Sequence, residues 1–335
     1  MDYLGLLKGE QWLAISEDFD YVRATRDFVG LKLFPMVRTD NMKLAIAQLA
    51  EGSDVPVMAL VHALDTEAKI GDRPDYEEIR YELLLVKEKL NQGEALRKKL
   101  KDMGMSNTEK TIINEVYNDA SNLIAKVLTR FEVMALEALA TGKLTIDENN
   151  AKVVIDYKIP AKHFLTVSGW STASTDILGD LIKIKRNSKN KIVRAYTSED
   201  VIGYILNNAK LAEIAAKQGT YVTEDWALTY IQNLIGIEFV VIDETYKDRY
   251  QNGTERNAYP SNVITFATTD GVLGRTFMTS TPSEDCQLSN STRTGFVSID
   301  QWLGDDPKTV WTEAEGLGLP VYSDVNKIYI CKVGA

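Results

Sequence analysis

Cysteine and histidine are scarce in this sequence, with two of each in 335 residues. Two cysteines, Cys286 and Cys331, cannot build a disulfide framework and read as unpaired thiols of a reducing compartment. Neither has a histidine near it in sequence, so both read as inert thiols and not as nucleophiles. His62 lies in an apolar stretch and His163 follows Pro160. Neither has a second His, Cys or carboxylate at ligand spacing, which excludes HExxH and zinc-type patterns and leaves both as structural histidines. A Walker loop and a glycine-rich dinucleotide loop are also missing. The longest apolar run, Pro56 to Leu64, falls well short of the roughly 20 residues that cross a bilayer. Met1 to Glu10 shows no basic region followed by an apolar one, so no signal peptide is expected and the chain reads as cytoplasmic when made. Basic residues are outnumbered, 38 against 48 acidic, for a net charge of −10. Such a surface repels nucleic acid and anionic lipid as direct ligands; it does not forbid a container around nucleic acid, because a repulsive wall lets the polymer slide.

The composition is otherwise that of a globular chain, 44% hydrophobic and 26% charged. That is enough to bury a sizeable core. Around Gly9 to Ile15 the residues suit a short helix. Phe28 to Val37 is apolar and interrupted by Gly30 and Pro35. It fits either a strand on its own core or an arm laid on a neighbouring subunit. Val55 to Lys89 reads as a long hairpin. One arm is Val55–Leu64, the turn signals sit in Ile70–Asp75, and the second arm starts at Tyr76. There Ile79, Tyr81, Leu83 and Leu85 alternate with charged residues, although helix competes on propensity.

The strongest local signal predicts a helix over Asn107–Thr141. Ser106 and Glu109 form a capping box, an apolar stripe runs from Ile112 to Leu139, and Gly142 supplies a left-handed stop. About 34 residues at 1.5 Å each make a rod of roughly 50 Å. Leu144–Ile146 should pair with Val153–Tyr157 in a hairpin. Helices are expected over Glu199–Lys217 and Thr223–Ile235, and a buried strand over Ile237–Ile242. These make residues 170–260 a compact α+β unit. Strands return at Val263–Phe266, Thr276–Met278 and Lys327–Ile330.

Three further clusters could carry chemistry. Gly271 to Gly274 with Arg275 is glycine-rich but lies between strand-like runs, so turn geometry explains it. Glu77-Glu78 and Asp305-Asp306 look like surface pairs. The basic run Lys183, Lys185, Arg186, Lys189, Lys191 and Arg194 reads as a solvated hairpin or turn. The competing readings are a nucleic-acid patch and a contact with an acidic patch on an adjacent subunit. No catalytic, cofactor-binding or metal-ligating residue is therefore expected, and no cofactor.

Several strings resemble the phage lambda major capsid protein E family. Glu132–Pro160 (EVMALEALATGKLTIDENNAKVVIDYKIP) resembles its helix end, Gly-Lys turn and following strand. Trp170-Ser171, Thr175-Asp176-Ile177 and Asp180-Leu181 resemble its entry into the next domain. Asn262–Thr265 through Gly271 and Gly274-Arg275-Thr276 resemble its C-terminal strand-turn-strand. The resemblance runs from about residue 28 to the C-terminus.

It implies an α+β chain with the Hong Kong 97-type capsid fold. The N-terminal arm would be 1–54, the E-loop 55–89, the P-domain 90–169 with spine helix 107–141, the A-domain 170–260, and the C-terminal return 261–335. It implies a major capsid protein, not an enzyme, that self-assembles into hexamers and pentamers of an icosahedral head around phage DNA. The expected partners are copies of itself, a separate scaffolding protein (the region before the E-loop being too short for a fused one), a portal protein and a decoration protein. The expected location is the virion, with the host cytoplasm during assembly. The alternatives are an encapsulin-like nanocompartment shell, which a neighbouring cargo gene would favour, and an α/β enzyme built on residues 170–260, which a stabilising small-molecule ligand would favour. A tail or decoration component would form rings or tubes.

Overall fold

The computed structural model describes residues 27–49, 76–94, 108–148, 151–248, 253–285, 292–306 and 309–334. They fall into two compact units, each assembled from separate stretches of chain. One takes the residues up to Lys43, Glu82–Ala135 and Arg275–Val321; the other takes Leu44–Tyr81, Leu136–Gly274 and from Tyr322 onward.

In chain order, a helical turn α1 (Val29–Leu33) precedes strands β1 (Met36–Arg38), β2 (Lys43–Leu49), β3 (Tyr76–Glu82) and β4 (Leu84–Gln92). The long helix α2 (Thr108–Thr141) follows, then β5 (Lys143–Glu148), β6 (Ala151–Asp156) and β7 (Phe164–Val167). Next come α3 (Ile177–Asn187), β8 (Arg194–Thr197), α4 (Glu199–Leu206), α5 (Ala209–Lys217), α6 (Glu224–Ile235) and β9 (Glu238–Val241). The chain continues through β10 (Thr245–Asp248), β11 (Thr254–Asn257), β12 (Val263–Ala267), β13 (Gly274–Thr279) and the short α7 (Pro282–Asp285). It closes with β14 (Thr292–Thr294), β15 (Val297–Gly304), β16 (Thr309–Tyr322) and β17 (Ile328–Val333).

The first unit is built on a six-stranded sheet ordered β1-β13-β16-β15-β14, with β4 also paired to β16. The 14-residue β16 is its trunk. Register sets Lys89 against Glu313 and Glu313 against Asp300. The opposite face of these strands, with Ile299, Val310 and Ala314, is buried. So is the stripe of α2 that carries Leu123, Ile124, Val127, Leu128 and Phe131. Gly316 allows the close approach of strand and helix, since a Cβ there would stand 3.0 Å from Phe131 and 3.2 Å from Val127. At roughly 1.5–3 kcal/mol per fully buried side chain, this stripe outweighs intrinsic propensity in fixing so long a helix.

The second unit is built on a five-stranded sheet ordered β7-β17-β12-β8-β9. Its core gathers Trp170, Leu181, Ile205, Leu211, Ile231 and Phe266, with Cys331 among them. Three strand pairs stand outside both sheets: β2-β3, β5-β6 and β10-β11.

The expected long helix and the hairpin after it are present. The helix spans Thr108–Thr141, Gly142 has φ of 68°, and Leu144 pairs with Ile155. Tyr76–Gln92 is strand, so alternation prevails over helix propensity there. The described partner of β3 is β2, Lys43–Leu49. Val55–Leu64, Ile70–Asp75, Gly9–Ile15 and Ser106 lie outside the described residues.

Three expectations need correction. Glu199–Lys217 is two helices, not one. The buried Asn208 side chain caps α5 by accepting from Lys210 N and Leu211 N, and donates to the Ala173 and Thr175 carbonyls. Asparagine satisfied in that way ends a helix instead of continuing it. The strand within Ile237–Ile242, β9, is half-buried, because among the described residues it is an edge strand paired to β8 alone; the flanking Ile237 and Ile242 are buried. Phe28–Val37 is not one strand: Val29–Leu33 is helical and only Met36–Arg38 pairs, parallel to β13. That segment docks on its own chain.

Candidate functional site

The sequence-selected residues do not converge. His163 is buried in a 3-10 turn, its Nδ1 lies 2.9 Å from the Ile328 carbonyl, and its ring stacks on Tyr329. A carbonyl partner requires Nδ1 to be the protonated nitrogen. Cys331 is buried in β17, and burial pushes its thiol up to about 12, far from thiolate chemistry at neutral pH. His62 and Cys286 lie outside the described residues. Gly271 sits on the turn between β12 and β13, Gly274 is the first residue of β13, and Asp305-Asp306 is exposed in the turn after β15. The basic run is not a single hairpin or turn: its first half is the end of α3, its middle is a tight turn, and Arg194 begins β8. Among the described residues no group of three or more His, Cys, Asp or Glu side chains is placed to hold a metal ion.

What the structure assembles instead is a ladder on one face of the β4-β16-β15 sheet. Period-two alternation puts Lys87, Lys89 and Asn91 on that face of β4, with Trp311, Glu313 and Glu315 on β16 and Ser298, Asp300 and Trp302 on β15. Lys87 stands 3.9 Å from Glu313. Lys89 Nζ lies 4.8 Å from the Trp311 ring centre and 5.9 Å from that of Trp302, and the two indoles stack with centres 6.4 Å apart. Desolvation raises the Glu313 carboxyl above its ordinary range, and Glu315 and Asp300 push the same way against the two lysines. Desolvation likewise raises Asp300, with Glu315 adding to it. Glu315 is buried and accepts from Ser283 N at 2.8 Å.

This face offers aromatic area, cations and carboxylates, and the Ser298 hydroxyl on it donates to the Glu284 carboxylate. Such a mixture suits contact with another surface. The sequence reading missed it, although a polar or aromatic residue at every second position of β4, β15 and β16 is the signal that reveals it.

A second feature locks the N-terminal segment. Glu132, buried in the middle of α2, accepts from Gly30 N and, at 2.7 Å, from Leu31 N. Glycine at position 30 permits this approach, since a Cβ there would come 2.8 Å from Glu132 Oε1 and displace the carboxylate.

The sequence profile of the family described as phage major capsid protein E matches residues 26–333. The chain belongs to that family. This capsid-family chain is similar in structure to a prophage protein of Escherichia coli CFT073 assigned as a capsid protein. The identity is 15%, the match covers 98% of this chain and 99% of that one, and the TM-score is 0.62. It is also similar to a phage-related protein from Bordetella bronchiseptica RB50, at 13% identity, 95% and 94% coverage and a TM-score of 0.55. A third relative is the capsid chain of cyanophage A-1(L), at 11% identity, 92% coverage of both chains and a TM-score of 0.50. At such identities the likeness speaks to fold, which is that of Hong Kong 97-type capsid proteins. No curated protein sequence matches the chain. As a phage major capsid protein, the chain serves as a structural component of the shell.

Proposed function

We propose that this capsid protein works entirely by self-association, as hexamers and pentamers that tile an icosahedral head around phage DNA. The family match over residues 26–333 is the observation that carries this reading. Its segments would divide as arm 1–54, E-loop 55–89, P-domain 90–169, A-domain 170–260 and return 261–335. Each contact between copies can be modest, because many act together once the lattice closes. The ladder on β4, β15 and β16 supplies aromatic and charged area for such contacts. A net charge of −10 suits a wall that does not hold the polymer it encloses. No chemical step is assigned to the chain. Scaffolding, portal and decoration proteins are its proposed partners, and the host cytoplasm is its place of assembly before it enters the virion.

The test is to delete Ala68–Asp75 and express the variant beside the scaffolding protein. The expected result is a folded subunit, by circular dichroism, that forms no closed shells under negative-stain microscopy. Normal shells from the deletion would refute the assignment of the E-loop to this segment.

A further inference from the structure

Opposite charges gather at the two ends of α6. Lys185 donates to the carbonyls of Ile235 and Gly236, which sets the end of α3 against the end of α6. Arg186 in the last turn of α3 and Lys189 just beyond it are exposed. Neither takes part in an ion pair among the described residues. The other end of α6 lies 12 residues away, roughly 18 Å along the helix. It opens with Glu224 and Asp225, both exposed. Helix α4 packs against α6 and opens with Glu199 and Asp200, exposed as well. These two follow β8 directly, whereas the basic turn precedes it, so the length of the strand also separates them. None of the four carboxylates is in an ion pair among the described residues.

Each end also exposes one large apolar side chain. Tyr221, just before the Thr223 cap of α6, is 88% exposed, and Leu234 in the last turn is 51% exposed. Beside Tyr221 lies a cleft of about 430 Å³ lined by Ala212, Ala215 and Ala216 of α5.

Helices favour acidic residues in their first turn and basic residues in their last, so the macrodipole accounts for these charges within one copy. It does not account for a tyrosine and a leucine left in water among them. An apolar centre inside a charged rim is the make-up of a contact between proteins. The two ends complement each other, and each repels its own kind, since like charges brought together across an interface are costly. Pairing of either end with itself about a two-fold axis is thereby disfavoured. A head-to-tail contact satisfies both ends, and contacts of that kind close into rings.

We propose that the acidic end of α6 in one copy of this chain docks on the basic end of α6 in the next. Glu199, Asp200, Glu224 and Asp225 would face Arg186 and Lys189, with Tyr221 and Leu234 at the centre. The occupant of each end is a second copy of this chain. The contact rests on the self-association proposed above and names the surfaces that one of its contacts uses.

The test uses full-length chains expressed beside the scaffolding protein, with particles measured by gradient sedimentation and negative-stain microscopy. One variant reverses the basic end with Arg186→Glu and Lys189→Asp, aspartate being tolerant of the left-handed backbone that position 189 holds at φ of 54°. A second reverses the acidic end with Glu199→Lys and Glu224→Lys. A third carries all four substitutions. Circular dichroism checks that each folds. Each single-end variant should lose at least about tenfold in particle yield, because like charges then meet. The four-site variant should recover to within about threefold of the wild type, because its charges are exchanged but again complementary. Loss at both single ends with recovery in the four-site variant supports the contact. Normal yield from either folded single-end variant, or no recovery in the folded four-site variant, overturns it and leaves self-association standing. Loss confined to the acidic-end variant also overturns it, and assigns that end to a different, basic partner. A wild type that forms no particles beside its scaffold refutes self-association, and this contact with it.

Discussion

Replacing Glu132 with alanine should release the segment around α1 while leaving the five-stranded sheet intact. The carboxylate accepts two backbone N–H groups, Gly30 N and Leu31 N, in a buried setting. A buried N–H left without an acceptor costs roughly 1–3 kcal/mol, so two cost about 2–6 kcal/mol. Part of that is returned, because the variant no longer desolvates a carboxylate, and the net expectation is about 3 kcal/mol. At about 1.4 kcal/mol per tenfold change in equilibrium, local opening should become roughly a hundredfold more populated. Hydrogen exchange read by mass spectrometry on peptides covering 28–34 measures this directly, without requiring the whole chain to unfold in one step. Exchange in that peptide should accelerate by about two orders of magnitude in Glu132→Ala. In Glu132→Gln, which keeps one acceptor oxygen, it should accelerate by about one. Peptides from β12 and β17 serve as the internal control. Wild-type protection at 28–34 in the alanine variant would refute the idea that this carboxylate holds the segment.

Gly142→Ala should destabilise the chain by about 1–3 kcal/mol, seen as a lower urea midpoint. The position holds φ of 68° and a Cβ would stand 2.8 Å from Ile159 Cδ1. Thr265→Val should cost about 2–3 kcal/mol by the same measurement, despite its matched shape. The lost hydroxyl donates to the Leu139 carbonyl at 2.8 Å and accepts from the Tyr259 phenol at 2.7 Å. Cys331 should resist iodoacetamide at neutral pH until the chain is unfolded by urea, and quantitative labelling of the folded protein would contradict its burial. With the thiol pushed from 9.0 up to about 12, the folded chain holds that proton more tightly than the unfolded one. Its contribution is therefore complete below pH 9.0 and is lost as pH rises from there towards 12. Burial raises Tyr157, Tyr259 and Tyr322 in the same direction, so stability should fall on the alkaline side. Denaturation midpoints across that range test this.

The parts legible in the sequence were those that a single local rule decides. The helix from Thr108 to Thr141 announces itself through a long 3.6-period stripe and its glycine stop. The β5-β6 pair follows from two alternating runs around a polar turn. Where burial of one polar side chain decides the outcome, local rules fail. The Asn207-Asn208 pair between Glu199 and Lys217 is a local cap signal, but nothing local reveals that Asn208 turns inward to the Ala173 and Thr175 carbonyls. Likewise Glu132 reads as one more acidic residue on a helix, since its partners lie a hundred residues away in the chain. The ladder on β4, β15 and β16 was hidden for a different reason. Each strand shows its alternation, but only register brings Lys89, Glu313 and Asp300 into one row. The basic end at Arg186 and Lys189 was half visible as a basic run, and its place against the end of α6 depends on tertiary folding alone.

Hydroxyls from two different strands fasten the end of α2. Tyr322 donates to the Ala138 carbonyl at 2.9 Å and Thr265 to the Leu139 carbonyl at 2.8 Å. Those are carbonyls of the last turn, which in most helices face water and let the end unravel. Here the terminus behaves like a rod set in a socket. It neither rotates nor slides without parting both bonds, so when the lattice strains this subunit, that end transmits the load and yielding must start elsewhere along the chain.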